Sequence, residues 1–468
     1  MYIINNIKEI LYRYSLDTKL KICHYYSSKI TNLNGISRIQ QSDYSKMPWI
    51  LEKFAYYSIL YDLKCIRDTE INEKAIHDTQ IVFELIFKLM YKDINNNSIK
   101  YFTLYLGTLQ FKSQEDFLYL MYRNNHFFNF KSEDFNLKRV FEEKFNSPYK
   151  SFKDLAISLV NLNNTYPIDI GIKNYIYKKF EDVIDNLMVD IDSLNNKIQN
   201  ERLNSFNILW QKPFIKRNNE ILLPLPHLLY RAISDAILFR ITENNDKIRD
   251  NFGKYCLEDY LLHLIIISDQ FEKVFSEIIF DSAKGEVSSS DVIAESEKNI
   301  VLFEIKSSVP SNKIRHIDEN SIYKNIKQYA SAVVQLYKQI SLYFNEYDLC
   351  SEKDHYDNIF GIVVLLEDSY IQRKLIYDEA YTQLKNNDFE ISKEWLESNI
   401  IIVSLYEIET AVFERTNIVN KLIERKLSNK KYDLINFSNP GGVYLKEFLL
   451  FKKRQKVIIE KIFDEIEN

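Results

Sequence analysis

The chain has 468 residues, of which 46% are hydrophobic and 27% charged, and its formal net charge is −5. This length predicts two or three domains, and the composition is that of a soluble globular protein. The net charge excludes a polyanion-binding surface that covers the whole molecule, so a nucleic-acid partner needs a local basic region.

The cysteines and the apolar segments indicate the compartment. Four cysteines, Cys23, Cys65, Cys256 and Cys350, lie far apart without a CxxC pair. This argues against a zinc site or a disulfide framework and fits a reducing environment. The N-terminus lacks the pattern of a signal peptide, and no apolar run approaches the roughly 18 residues of a membrane span. We expect a cytoplasmic protein without a membrane partner.

Residues 1–200 predict a mostly α-helical domain. Apolar and aromatic residues recur at helical spacing, as in WILEKFAYYSILYDL (49–63) and IVFELIFKLMYK (81–92), and the region predicts six to nine helices. Glycine and proline number only eight each in the whole chain, which also favours helices over tight turns. No motif here indicates chemistry. The domain is therefore a candidate for target recognition, regulation, contact with a partner protein or homo-oligomer formation.

Residues 201–415 predict an α/β domain with a mixed central sheet flanked by helices. A polar segment at 190–205 marks its beginning. The predicted order is a hairpin turning at Asn218-Asn219, two helices, three strands, a helix, a strand, a helix and a strand. The hairpin lies at 213–226, the two helices at 227–241 and 246–267, and the three strands at 271–281, 291–296 and 300–308. The next helix lies at 321–344, and the last two strands lie at 359–367 and 399–408, with the remaining helix between them.

Residues 416–468 predict a basic C-terminal helical extension. Residues 421–461 carry eleven Lys and Arg against four Asp and Glu. A second basic stretch, 306–327, carries five against two. Either stretch could contact a nucleic-acid backbone, and the alternative for each is an ordinary solvated surface.

One stretch, SSSDVIAESEKNIVLFEIKSS (288–308), carries the chemistry. Because side chains alternate along a strand, Glu304 and Lys306 emerge on one face. We expect a two-residue hairpin loop to set Asp291 opposite Lys306, and a four-residue loop to set it opposite Glu304. Either loop keeps Asp291 on the same face, whereas a three-residue loop sends it to the other face.

Two carboxylates and an ammonium group at one point of a sheet suit phosphodiester hydrolysis. Mg²⁺ prefers a few carboxylate oxygens together with waters and phosphate oxygens, and Mn²⁺ is expected to replace it. A neighbouring lysine can position an attacking water and stabilise charge on the phosphate. The alternatives are a strand-end salt bridge between Glu304 and Lys306 and a turn-capping role for Asp291.

Asp291, followed after twelve residues by Glu304-x-Lys306, resembles the signature of the PD-(D/E)xK nuclease superfamily. The resemblance covers about 245–410 and implies a restriction-endonuclease-like fold whose core is helix, three strands, helix and strand. It implies a glutamate on the first core helix, where Glu258 stands, and a glutamine on the helix after the motif. Gln328 is similar to that glutamine and belongs to a polar stripe of Lys324, Gln328, Ser331 and Gln335. Ser290 replaces the proline of the family name.

The resemblance implies an Mg²⁺-dependent endonuclease acting on DNA. Asp291, Glu304, Glu258 and the Ile305 carbonyl would bind the metal, Lys306 would position the attacking water, and Gln328 would orient Lys306 or a backbone phosphate. A restriction-like or phage-defence role is an analogy of architecture. An RNA-cleaving nuclease with the same residues is an alternative. So is a catalytically inactive nuclease-fold protein that binds nucleic acid or protein.

Overall fold

The structure, a computed structural model, describes helices and three sheets over most of the chain. The described residues are 2–30, 44–62, 71–96, 115–165, 169–200, 208–242, 245–282, 285–296, 298–310, 314, 318–346, 356–428, 431–438 and 444–467. Internal contacts divide the chain into two compact units. The first comprises Met1–Phe128, Lys138–Glu243 and Lys453–Asn468, and the second comprises Asn129–Leu137 and Asn244–Lys452.

These units correct the predicted domain boundaries. Residues 201–243 belong to the first unit instead of beginning the second, so the boundary lies near residue 243. Residues 416–452 belong to the second unit and do not form a separate extension.

The first unit is predominantly helical and contains one small sheet. In that sheet β1 (Met188–Asp190) is parallel to β2 (Phe214–Arg217), and β2 is antiparallel to β3 (Glu220–Leu222). The three residues of β1 are too few to show alternation, so the sequence did not predict this strand. Helices α1–α12 are Tyr2–Leu11, Leu16–Ile30, Pro48–Leu60, Glu73–Asn96, Phe117–Asn129, Leu137–Phe145, Tyr149–Thr165, Asn174–Lys179, Glu181–Asn186, Ile191–Asn200, Leu228–Ala232 and Asp235–Thr242.

The hairpin predicted at Asn218-Asn219 is confirmed. Asn218 has a φ of 53°, a left-handed conformation that asparagine tolerates better than most residues. The helix predicted at 227–241 is instead two helices, α11 and α12. Between them, the Ser234 hydroxyl donates a 2.8 Å hydrogen bond to the Tyr230 carbonyl, a type of contact that bends helices.

The second unit contains a five-stranded mixed sheet and a separate pair of strands. Strands β4–β10 are Lys273–Ser276, Ile279–Ser282, Gly285–Ser288, Val292–Ser296, Asn299–Lys306, Asn358–Leu365 and Ile400–Ser404. The five-stranded sheet has the order β10–β9–β8–β7–β4, in which β8, β9 and β10 are mutually parallel and β7 is antiparallel to both β8 and β4. Helices α13–α20 are Asp246–Asn251, Glu258–Ser268, Glu319–Glu346, Arg373–Lys385, Lys393–Asn399, Leu405–Phe413, Ile418–Leu427 and Lys446–Glu467, and α20 continues into the first unit. Among the described helices, none has the length and apolarity needed to cross a membrane.

The α/β character predicted for this part of the chain is confirmed, but three elements differ. The strand predicted at 271–281 is divided into β4 and β5, and β5 pairs with the unpredicted strand β6 in a separate two-stranded sheet. The helix predicted at 246–267 contains a π-helical segment, Phe252–Leu257, immediately before α14. The strand predicted at 399–408 ends at Ser404, because Ser404 and Glu407 form a capping box that begins α18.

The central strands are buried on both faces. Residues Ile300–Phe303 of β8 and Ile362–Leu365 of β9 are fully buried, which accounts for their nearly continuous apolar sequence. Helix α15 packs on these two strands. The approach is close at Gly361, where a Cβ atom would lie 2.9 Å from Leu336 Cδ2. This packing fixes α15 against the end of β8 where Glu304 and Lys306 lie.

Candidate active site

The β7–β8 hairpin sets the positions of the motif residues. Ser296 pairs with Asn299, so two residues connect the strands, and Val292 pairs with Phe303. One step further in this register, Asp291 lies opposite Glu304. The prediction that a two-residue loop sets Asp291 opposite Lys306 is therefore wrong by two positions. The even register nevertheless keeps all three residues on one face, as predicted.

Asp291 bonds across the hairpin and does not cap a local turn. Its Oδ2 accepts a 2.6 Å hydrogen bond from the backbone N–H of Ile305. The N–H and C=O of one residue point to the same edge of a strand, so the Ile305 carbonyl also faces Asp291. The carboxylate is thus held beside both the backbone and the side chain of the Glu304-x-Lys306 motif.

Glu304 is a buried acid with one unsatisfied oxygen. Its side chain lies at the end of the sheet interior and only 2% of the residue is exposed. Oε1 accepts hydrogen bonds from Lys306 Nζ and from Gln335 Nε2, each at 2.6 Å. Oε2 is buried and has no hydrogen-bond partner. A buried carboxylate oxygen without a donor is costly, which makes this atom a candidate ligand.

The glutamine at the site is Gln335, and the prediction of Gln328 is corrected. Gln335 donates to Glu304 and accepts a 3.0 Å hydrogen bond from Lys306 Nζ, so one amide holds both charged groups. Gln328 lies two helical turns earlier on α15 and is exposed. Both belong to the polar stripe found in the sequence. The stripe was a usable signal, but it did not show which member reaches the sheet.

Burial and mutual repulsion raise the pKa values of the neighbouring acids. Burial, then the charges of Glu304 and Glu258, raise the pKa of Asp291 to about 8, against a partly offsetting hydrogen bond from Ile305. Burial, then the charges of Glu277 and Glu304, raise the pKa of Glu258 to about 7. Glu258, at the first position of α14, is therefore close enough to Glu304 and Asp291 for the charges to interact, and its role in the site stays a prediction.

Two residues that the sequence did not indicate also act on this cluster. Glu277, between β4 and β5, repels Glu258, and Lys254, one turn before Glu258, attracts it. The spacing of Lys254 and Glu258 at i and i+4 was a visible signal. Glu277 is close only because β4 pairs with β7, which sequence periodicity could not show.

The residues present fit a divalent cation, although they do not form a preassembled cage. Among the described residues, no group of three or more His, Cys, Asp or Glu side chains is arranged to hold a metal ion. The proposed ligand set contains only two such side chains, Asp291 and Glu304, together with one backbone carbonyl. Mg²⁺ is commonly held by one or two carboxylates plus waters and phosphate oxygens. Glu304 Oε2 has no donor, and burial followed by mutual repulsion raises the pKa values of Asp291 and Glu258, so a cation bound here would stabilise the ionised acids.

Comparisons of the chain with protein-family models, curated proteins and solved structures give no match. The geometry and electrostatics of the site are therefore the basis for assigning a function.

Proposed function

We propose that the second unit is a metal-dependent nuclease domain with a restriction-endonuclease-like fold, which hydrolyses phosphodiester bonds in DNA. The observation that carries this proposal is the cluster of Asp291, Glu304 and Lys306, in which a buried Glu304 oxygen has no protein partner. The order of elements from α14 to β9 supports the resemblance to the PD-(D/E)xK superfamily, with the β5–β6 hairpin as an insertion.

The acidic side of the site would hold Mg²⁺ or Mn²⁺. Asp291, Glu304 and the Ile305 carbonyl are the proposed ligands, and Glu258 would add negative charge beside them. When bound, the cation supplies Lewis-acid stabilisation of phosphate charge and favours ionisation of the attacking water.

Lys306 would act on the substrate. Its side chain is 32% exposed, whereas that of Glu304 is 3% exposed, so the ammonium lies between the buried acid and solvent. Of its three donors, one is used by Glu304 and one by Gln335. The third remains to hold the attacking water or a phosphate oxygen. Gln335 fixes the direction of that donor and is therefore a positioning residue.

Glu258 would be the proton acceptor beside the proposed ligands. Burial raises its pKa to about 7 in the metal-free protein, and a cation bound nearby would lower that pKa and keep the carboxylate ionised and able to accept a proton. Attack of water on phosphorus breaks one P–O bond. The proton that the water loses can pass to Glu258, while the leaving oxygen takes a proton from solvent.

The experiment is a cleavage assay of the purified protein on plasmid, linear DNA and RNA, with Mg²⁺, with Mn²⁺ and with EDTA. Lys306→Ala should lower DNA cleavage at least about a hundredfold, the scale for loss of a positioned electrostatic group. Lys298→Ala is the matched control, because Lys298 precedes the other end of β8 and forms an exposed 3.6 Å ion pair with Asp357. Cleavage by Lys306→Ala at the wild-type rate would exclude this site as the catalyst. If only RNA is cleaved, RNA replaces DNA as the proposed substrate.

A catalytically inactive nucleic-acid-binding protein is the second candidate. Two observations favour it: the described residues contain no three-ligand metal group, and the Lys306 ammonium already neutralises Glu304 at 2.6 Å. Titration calorimetry with Mn²⁺ separates the two functions. Binding that is lost in Asp291→Ala supports the nuclease, whereas absence of both Mn²⁺ binding and cleavage supports the second candidate.

A further inference from the structure

The polar stripe on α15 extends along the protein surface from the candidate active site. Lys324, Gln328, Ser331 and Gln335 recur at i, i+4, i+7 and i+11, which places them on one face of the helix. All four residues are exposed, and Gln335 also contacts Glu304 and Lys306. At 1.5 Å per residue, Lys324 lies about 16 Å from Gln335 along the helix axis.

The charge of α15 is one-sided in a chain rich in acids. The chain contains 66 Asp and Glu, yet the only acidic residues of this helix are its first and last, Glu319 and Glu346. Asp318 lies just before the helix, and its Oδ2 already accepts hydrogen bonds from the backbone N–H and the hydroxyl of Ser321. Between its first and last residues, α15 therefore carries lysines and no carboxylate, and such a surface suits binding of a polyanion.

An exposed aromatic ring lies beside the stripe. Tyr323 is 54% exposed, and the Lys327 ammonium lies 4.7 Å from the centre of its ring. An aromatic face next to a cation at the surface is a stacking platform for a nucleic-acid base. Stacking of this kind needs an unpaired base, because the faces of paired bases are covered by their neighbours in the duplex.

We infer that this face of α15 binds a single-stranded segment of DNA, with Lys324 and Lys327 on backbone phosphates and Tyr323 stacked on a base. The inference rests on the proposed function and adds the form of the substrate. At 3.4 Å per nucleotide of a stacked strand, the 16 Å from Lys324 to Gln335 corresponds to about five nucleotides. The strand that reaches Lys306 thus has an unpaired region of about this length on the side of Tyr323.

The test is a binding measurement with the full-length protein in EDTA, so that it does not depend on cleavage. Fluorescence anisotropy compares a labelled single-stranded oligonucleotide with the blunt duplex of the same sequence. Tyr323→Ala should weaken single-strand binding at least about fivefold, whereas Tyr323→Phe should bind as the wild type. Lys324→Gln combined with Lys327→Gln should reduce the salt slope of single-strand binding by about 1.4, or 0.7 for each phosphate contact.

Matched controls lie in the first unit. Tyr175 is 51% exposed, and Lys178 and Lys179 are exposed lysines close to it in sequence. Tyr175→Ala and the double replacement of Lys178 and Lys179 by glutamine should leave single-strand binding unchanged. The inference is overturned if the Tyr323 and lysine variants bind like the wild type, or if they weaken duplex and single-strand binding equally.

Failure of this inference differs from failure of the proposed function. If the α15 variants lose single-strand binding while no condition gives cleavage, the binding face stands and the nuclease proposal fails. If Lys306→Ala abolishes cleavage while the α15 variants bind normally, the nuclease stands and the binding face fails.

Discussion

Replacing Lys306 by methionine removes the ammonium but keeps an unbranched side chain of similar length. Glu304, only 2% exposed, then retains a single hydrogen-bond donor, from Gln335. Leaving one partner of a buried ion pair uncompensated costs about 3–5 kcal/mol. Because 32% of the Lys306 side chain is exposed and water screens the pair, we expect about 2–3 kcal/mol. In a domain of this size, the metal-free melting temperature should fall by roughly 4–12 °C.

A double-mutant cycle with Glu304→Gln isolates the charge interaction. The introduced glutamine can still accept the hydrogen bond from Gln335 if its amide oxygen points toward Gln335. It carries no charge, so the loss of the Lys306 ammonium leaves nothing to neutralise. The double variant should therefore be more stable than Lys306→Met alone. The expected coupling free energy is at least about 1 kcal/mol, measured by urea unfolding in EDTA.

Mn²⁺ distinguishes a metal site from a salt bridge in the same variants. A cation bound at Glu304 supplies the positive charge that Lys306→Met removes, so the stability difference between this variant and the wild type should shrink when Mn²⁺ is added. The Glu304→Gln protein should gain less stability from Mn²⁺ than the wild type. If the difference between wild type and Lys306→Met is the same in EDTA and in Mn²⁺, Glu304 is not a ligand and the metal proposal is refuted.

Three further predictions follow from the site and the basic segment. The pKa values of Asp291 and Glu258 are raised to about 8 and about 7, so the native protein binds more protons than the unfolded chain from about pH 4 to pH 8. The metal-free melting temperature should fall as pH rises across this window, and the decrease should be smaller in Asp291→Asn. A wild-type melting temperature that does not change with pH would contradict the raised pKa values. Gln335→Leu should lower cleavage at least about tenfold, because it removes hydrogen bonds to two charged groups, whereas Gln328→Leu should not. Equal cleavage rates for the two variants would show that Gln335 does not position Lys306. Neutralising the basic residues 452–454 should reduce the salt slope of DNA binding by about one unit for each lost phosphate contact, and unchanged binding at every salt concentration would identify an ordinary solvated surface.

The elements that carry the site could be predicted because their apolar patterns are strong. The strand predicted at 300–308 is observed as Asn299–Lys306, and the helix predicted at 321–344 is observed as Glu319–Glu346. Both owe their patterns to burial against the same sheet. Strand β6 was missed because none of its residues is buried, whereas its partner β5 lies largely within the strand predicted at 271–281. The end of β10 was missed because Ser404 and Glu407 compete for the backbone through a capping box that an apolar run conceals.

Sequence periodicity predicts which face of a strand or helix each site residue occupies, but it does not predict which residues come into contact. Alternation in the β7–β8 hairpin determines which face Asp291 shares, but the loop length determines its partner, and there the prediction erred by two residues. On a helix, positions seven apart lie almost on one line, so Gln328 and Gln335 are equivalent by pattern. Only the packing of α15 on the sheet, including the close approach at Gly361, determines which glutamine reaches Lys306.

A salt bridge alone accounts poorly for this corner of the sheet. A buried ion pair is rarely more stabilising than apolar side chains of similar volume, and here one ammonium on the sheet faces three carboxylates, those of Glu304, Asp291 and Glu258. Burial, followed by the surplus negative charge, raises the pKa values of Asp291 and Glu258, and Glu304 keeps an oxygen without a donor. Each of these features opposes folding in the absence of a cation. Perturbed acids and unsatisfied polar atoms of this kind concentrate where a protein binds or transforms a ligand. A divalent cation held by Asp291 and Glu304 would supply the missing positive charge, so the hypothesis predicts that replacing either acid changes metal affinity, stability and catalysis together.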